Sequence, residues 1–228
     1  MASNEIHPTA VVGSGVKLGS GNLVAAFAVL EGPLEIGDGN WFGPHCSIGT
    51  PAQWTGVLGN QLAGSVGNGV RIGHRNVIRE YVTVHQGTDR VTTIEDETYL
   101  MAYAHVPHDA HICARSTLTN AAQLAGHTQV GWLANLGLGT VVHQRTVIGP
   151  YAMVGMQSVV TSHLPPAVVA FGSPARVRGV NRVGLERAGF TTLEIEQVAA
   201  AVDAEERPAV ARLDAAYKWF DDAVAANR

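Results

Sequence analysis

Aliphatic side chains recur along this chain at intervals of six. Leu100, Val106, Ile112, Leu118, Leu124, Val130, Leu136, Val142, Ile148, Val154 and Val160 keep the interval without a break, and Ile94 begins the run. Ile6, Val12, Leu18, Val24, Leu30, Ile36, Phe42 and Ile48 keep it upstream, and Ile72, Ile78 and Val84 resume it. A period of six suits neither an α-helix nor an ordinary strand. It is the signature of a β-helix built from hexapeptide repeats. Three short strands then close one triangular coil, with an aliphatic side chain pointing into the prism and small residues at the corners. Successive coils stack at parallel-strand spacing, about 4.8 Å. The 23 units predict nearly eight coils, stable only as an array.

The pattern has two interruptions and one end. Residues 49–71 form an insertion rich in Gly, containing Trp54 and no acidic residue. A long irregular loop in a compact solenoid covers or completes a site more often than it idles. A shorter break runs from Asp89 to Thr93. The period stops at His163-Leu164-Pro165-Pro166. This divides the chain into a β-helical part, residues 1–163, and a helical region, residues 164–228. In the second part Thr191 and Glu194 read as a capping box, and Pro208 suits the first turn of a further helix. Val210, Leu213, Tyr217, Phe220 and Val224 share one helical face, expected to pack on the β-helix or its neighbours.

A net charge of −4 gives no reason to expect nucleic acid or an anionic membrane as partner. No apolar run approaches the ~18 residues of a membrane span, and the N-terminus has no secretory pattern. Cys46 and Cys113 lie far apart in the stack and read as reduced, packed thiols of a cytoplasmic protein. Five of the ten histidines, at 105, 108, 111, 127 and 143, fall in the longest repeat run. His108 and His127 are nineteen residues apart, so they lie on adjacent coils, roughly above one another.

The array, the AHVPHDAHI segment at 104–112, LAGHTQV at 124–130, VVHQ at 141–144 and GVNRVGLERAGF at 179–190 occur here in order. Together they resemble the UDP-N-acetylglucosamine O-acyltransferase family of lipid A synthesis, from about Ile6 to Phe190. The resemblance implies a mostly β fold: a left-handed parallel β-helix with a short C-terminal α-helical region. It also implies a homotrimer with active sites in the clefts between subunits. The acyl donor would be carried on the phosphopantetheine of acyl carrier protein, with no other cofactor and no metal.

By the same resemblance His108 is the general base, Asp109 orients it, and the Gly126 N–H faces the developing oxyanion. Imidazole can take a proton near neutral pH, and a neighbouring carboxylate sets its tautomer. His105, His127 and His143 match substrate-contacting histidines of the cleft, and Gln144 a contact to the donor chain. Gln53 matches an acceptor contact. Asn181 and Arg187, with Arg176, Arg178 and Arg182 nearby, suit a nucleotide diphosphate or an acidic carrier protein. Met153 and Met156 match positions that measure the acyl chain, and Met at 156 implies a shortened groove. Two positions depart from the family: Trp54 and Val183 stand where it has acidic residues that hold the acceptor. Three other readings stay open. One is the same chemistry on another hydroxyl or an amine, with a CoA donor included. The second is a γ-type carbonic anhydrase, with three histidines and water on zinc. The third is a trimeric scaffold without catalysis.

Overall fold

The computed structural model describes residues 2–53 and 67–227. Strands of two to six residues wind into a parallel β-solenoid of three faces, with ten, eight and seven strands among the described residues. Successive strands lie on successive faces, and each face pairs every third strand. Tyr99 thus pairs with Thr117, Thr117 with Asn135 and Asn135 with Met153, each eighteen residues on. The eight-stranded face counts the expected eight coils, and the mostly β architecture holds.

Inside the prism the aliphatic rows stack in columns. Ile72, Ile94, Ile112 and Val130 form one, and Ile78, Leu100, Leu118 and Leu136 another, all at 1% exposure or less. Each such side chain contributes about 1.5–3 kcal/mol by leaving water. Ile6 and Val12 keep the period yet are 46% and 38% exposed, since they belong to the first coil of the stack. Buried polar groups are also stacked. Asn40 donates its N–H and amide to the Asn22 Oδ1, both at 2.9 Å, and Asn76 does the same to the Asn40 Oδ1. Thr98 closes that ladder on Asn76.

The coils turn at residues of positive φ. From Glu97 these recur every six positions, at Tyr103, Asp109, Arg115, Ala121, His127, Leu133, Gly139, Arg145, Tyr151 and Gln157, with φ between 54° and 65°. The left-handed region costs a residue with a side chain about 1–2 kcal/mol. Stacking of the strands on either side imposes it at every corner.

Register places the two interruptions. Ser47 pairs with Thr83, thirty-six residues on, so the insertion expected at 49–71 adds the length of one coil between strands Ser47–Thr50 and Val70–Ile72. Thr83 pairs with His105, twenty-two residues on, so the second break adds four residues. Those four cover one corner of the next coil.

The expected boundary at 163 needs correction. Strand Val168–Gly172 extends the ten-stranded face, pairing Val169 with Met153, and strand Ala175–Val180 turns back antiparallel upon it. That offset of sixteen residues broke the six-residue count and hid both strands. Helices follow at Arg182–Arg187 (α1), Thr192–Asp203 (α2) and Asp214–Ala226 (α3). The capping box of Thr191 and Glu194 is present. Pro208 lies ahead of its helix, because Val210 is extended and the chain first makes a 3-10 turn at Ala211–Leu213. Val210, Leu213 and Tyr217 pack with Leu185, Phe190, Ile195 and Val198 in a second small core, bordered by Trp132 and Tyr151 of the solenoid. Among the described residues no helix is long and apolar enough to cross a membrane.

Candidate active site

One corner of the prism, between the eight- and seven-stranded faces, brings His108, Asp109, Gly126 and His127 together. His108 leads into it and Asp109 is its left-handed residue. The Nδ1 of His108 lies 2.7 Å from the Asp109 Oδ2. Asp109 is fully buried, and the four extra residues of the second break are what make that tolerable. Its Oδ1 accepts the N–H groups of Thr88, Asp89 and Arg90 at 2.8–2.9 Å, and its Oδ2 accepts the Thr88 hydroxyl at 2.6 Å. Burial alone would raise the carboxyl's pKa. The donors of Arg90, Thr88, His108 and Asp89 outweigh it and hold the group well below the usual carboxylate range. A carboxylate kept ionised beside Nδ1 holds the proton there and leaves the Nε2 lone pair free.

The neighbouring turns are fixed on this one. His127 donates its backbone N–H to the His108 carbonyl, Arg145 does so to the Gly126 carbonyl, and the His108 and His127 rings meet edge-on at 5.3 Å. Arg90 ties the corner from behind, giving Nε–H to the Asp109 carbonyl at 2.7 Å and a guanidinium N–H to the His127 carbonyl at 3.3 Å. Asn227, just past α3, donates to the His127 and Arg145 carbonyls. Thr88, Arg90 and Asn227 escaped sequence reasoning. The clue was the four-residue offset, since extra chain beside a His-Asp pair can supply donors to it.

His105 hydrogen-bonds Thr83 through Nδ1 at 2.8 Å and meets His85 edge-on at 5.1 Å. His85 is 6% exposed, and its Nδ1 has no partner among the described residues. Burial, with His105 and His108 nearby, pushes its pKa down to about 4. Burial also lowers His105 and His127, the latter against the pull of Asp109. His85 is therefore neutral in the fold, while the unfolded chain takes up a proton near pH 6.5. Stability falls as pH drops from 6.5 to 4, by about 3 kcal/mol for this residue. A His85→Phe protein is expected to show a shallower fall of Tm between pH 7 and 4.5, and an unchanged slope would refute the assignment.

Gly126 has a reason of its own. A Cβ there would stand 2.5 Å from Cε1 and 2.6 Å from Nε2 of His108. The ring lies directly over the glycine, and Asp109 pins it in place. Gly126→Ala is expected to lower turnover about 100-fold, the effect of a 1 Å misplacement, with a much smaller effect on Tm because the His108 ring alone has to shift. Equal losses of Tm and activity would count against this.

The remaining predicted residues lie further along this corner or on other parts of the solenoid. His143 and Gln144 are exposed one coil further on, with His143 Nδ1 3.1 Å from the Gln144 carbonyl. Gln53 is exposed, and Trp54 lies outside the described residues. Met153, Asn181 and Arg187 line a groove of about 820 Å³ on the ten-stranded face, with Arg115, Asn135 and Val183. That face is opposite the His108 corner of the triangular coil. Asn181 caps α1 by accepting from Gly184 and donates to the Tyr151 carbonyl, so its amide is engaged in the fold. Met156 is 69% exposed and outside that groove. The basic cluster is dispersed: Arg182 pairs with Glu196, and Arg178 stacks on Phe171. Both cysteines are buried and free, and burial pushes the Cys46 thiol up to about 12.

His108, Asp109 and His127 bring donor atoms within 4.8 Å of one another. Both Asp109 oxygens already accept hydrogen bonds, three at Oδ1 and two at Oδ2. A metal would have to displace several of them, so the corner suits proton transfer better than ligation.

The family described as UDP N-acetylglucosamine O-acyltransferase, domain 2, matches residues 164–218. The acyl-[acyl-carrier-protein]–UDP-N-acetylglucosamine O-acyltransferase of Verminephrobacter eiseniae is 40% identical over 208 residues, covering 82% of this chain and 77% of that protein. The chain belongs to the UDP-N-acetylglucosamine O-acyltransferase family. The Synechocystis member is 39% identical over 169 residues, 73% of this chain and 59% of its own length, so the chain spans little more than half of that relative. The structure of the UDP-N-acetylglucosamine O-acyltransferase of Moraxella catarrhalis superimposes with a TM-score of 0.83 at 28% identity, covering 99% of this chain and 86% of that one. For the Arabidopsis acyltransferase the score is 0.76 at 27% identity, covering 96% and 86%.

Proposed function

We infer that this chain transfers an acyl or 3-hydroxyacyl group from acyl carrier protein to a hydroxyl of UDP-N-acetylglucosamine or a similar sugar nucleotide. The observation that carries the reading is the His108–Asp109 pair, 2.7 Å apart, with its carboxylate held ionised by four further donors. The acceptor oxygen attacks the thioester carbonyl carbon while His108 Nε2 takes its proton. Negative charge gathers on the carbonyl oxygen, and the Gly126 N–H, which has no acceptor among the described residues, donates to it. The C–S bond then breaks, and the phosphopantetheine sulfur leaves with the proton from His108. His127, His105 and His143 line the approach, and Gln144 meets the donor chain.

The acting unit is a homotrimer in this reading. His108 stands at one corner of the prism, while Met153 and Arg187 border the groove on the opposite face. A neighbouring copy in a threefold ring brings one chain's groove to another's corner, and such rings close. Met153 and Met156 then limit acyl length. The reaction needs no cofactor beyond the carrier's phosphopantetheine, and the cytoplasm is where that carrier and the nucleotide sugar meet.

The test is transfer followed by mass spectrometry, with UDP-N-acetylglucosamine and carrier proteins bearing chains of several lengths. An acylated nucleotide sugar, formed fastest at one length, is expected. No product at any length from folded protein overturns this acceptor and turns attention to Val183 and residues 49–71, where the family's acidic contacts are missing. Equal turnover with acyl-CoA overturns the carrier.

A further inference from the structure

A second cluster of donors lies at the other end of the strand that leaves the His108 corner. His111 points outward from the seven-stranded face, Cys113 lies just beyond it, and Glu95 sits on the preceding coil, where Ile94 pairs with Ile112. The Nε2 of His111 is 2.7 Å from the Glu95 Oε1 and 3.8 Å from the Cys113 Sγ. Donor atoms of all three residues fall within 4.8 Å of one another. The acyl transfer uses none of them.

One imidazole nitrogen carries one proton or one lone pair. The His111 ring N–H and the Cys113 thiol both hydrogen-bond the Glu95 carboxylate. A cation placed among the three would replace those two hydrogen bonds and the thiol proton with three metal bonds. In a tetrahedral zinc site, bonds of about 2.0–2.3 Å set donor–donor separations of about 3.2–3.6 Å. The observed 2.7 and 3.8 Å bracket that range, so small side-chain rotations suffice. The surroundings also fit. The Glu95 Oε2 accepts the Ala114 N–H at 2.9 Å, which fixes the carboxylate. The His111 and Glu95 side chains are 30% and 41% exposed, leaving an entry path and room for water as a fourth ligand.

We propose that Glu95, His111 and Cys113 bind a thiophilic divalent cation of the zinc class, which staples two consecutive coils together. Thiolate with imidazole selects such an ion over magnesium or calcium. Binding replaces the thiol proton by the metal and releases that proton to solvent. Without the cation, burial and the Glu95 carboxylate keep the thiol protonated. The site is separate from the His108 corner, so bound zinc would not by itself signal hydration chemistry there.

Cobalt titration of the reduced, metal-stripped full chain tests this. One cobalt per chain is expected, with a thiolate charge-transfer band in the near ultraviolet and the visible bands of tetrahedral cobalt, all displaced by zinc. Cys113→Ser abolishes the charge-transfer band, and His111→Ala and Glu95→Gln each weaken binding about tenfold or more. His111 is partly exposed, so its variant stays informative even if Cys113→Ser folds poorly. Zinc raises the Tm of the parent protein and leaves that of His111→Ala unchanged. The proposal falls if excess cobalt gives no thiolate band or the band survives Cys113→Ser. It also falls if binding is lost in His127→Ala instead, which would place the ion among His108, Asp109 and His127.

Discussion

Asp109→Asn is expected to lower turnover by about 10³–10⁴-fold with little change in KM, the size of effect seen when a buried carboxylate that orients a catalytic imidazole becomes an amide. The direction follows from the donors around it. Three backbone N–H groups converge on Oδ1, so the asparagine must place its carbonyl oxygen there. Its NH2 then faces His108, where Oδ2 stood 2.7 Å from Nδ1. An N–H pointing at Nδ1 needs a lone pair to receive it, which moves the imidazole proton to Nε2 and removes the base. Nitrogen-15 NMR of labelled histidine reads that switch directly. Wild-type turnover in a variant whose His108 keeps its proton on Nδ1 would refute the argument. The charge also matters for acid stability. A carboxyl held this low adds stability that is complete above the ordinary carboxylate pKa, about 3.9, and is lost as pH falls through its own value. The variant should lack that acid limb.

His108→Ala should fold and lose about 10²–10⁴-fold in turnover, the usual contribution of a positioned general base. Folding should survive because Asp109 keeps its four other donors, from Thr88, Asp89 and Arg90, when the imidazole is gone. Single-turnover transfer read by mass spectrometry, beside a thermal melt, separates the two effects. A loss under tenfold with an intact melt would move the base elsewhere, and His127, 5.3 Å away ring to ring, is the next candidate.

Much of the fold could be read because one requirement repeats. Every strand must present an aliphatic side chain to the prism, and Leu100 through Val160 show it without exception. The His108 corner was legible for a related reason: nineteen residues on a coil of eighteen put His127 above His108. Other parts carry no side-chain signature. The groups that stabilise Asp109 are largely backbone N–H groups of Thr88, Asp89 and Arg90, which any residues could supply. Strands Val168–Gly172 and Ala175–Val180 were missed because their pairing leaves the eighteen-residue register. The motif around Asn181 implies a substrate contact, and nothing in that motif signals that its amide also caps a helix and holds the Tyr151 carbonyl. Periodicity also assigns residues to faces without saying which faces meet. The groove holding Met153 and Arg187 therefore came as a separate place, away from the histidines.

The left-handed corners have a consequence for how such a protein changes over generations. At equivalent points of successive coils stand Asp109, His127 and Arg145, and along the next edge Arg115, Leu133 and Tyr151. An acid, an imidazole, a guanidinium, an alkyl group and a phenol all occupy the same backbone geometry. The strands set that geometry, so the side chain at a corner is free to vary while its position is not. Mutation can then trial new chemistry at fixed coordinates, one corner at a time, with the scaffold buffering each attempt. A lineage built this way can change its substrates faster than its shape.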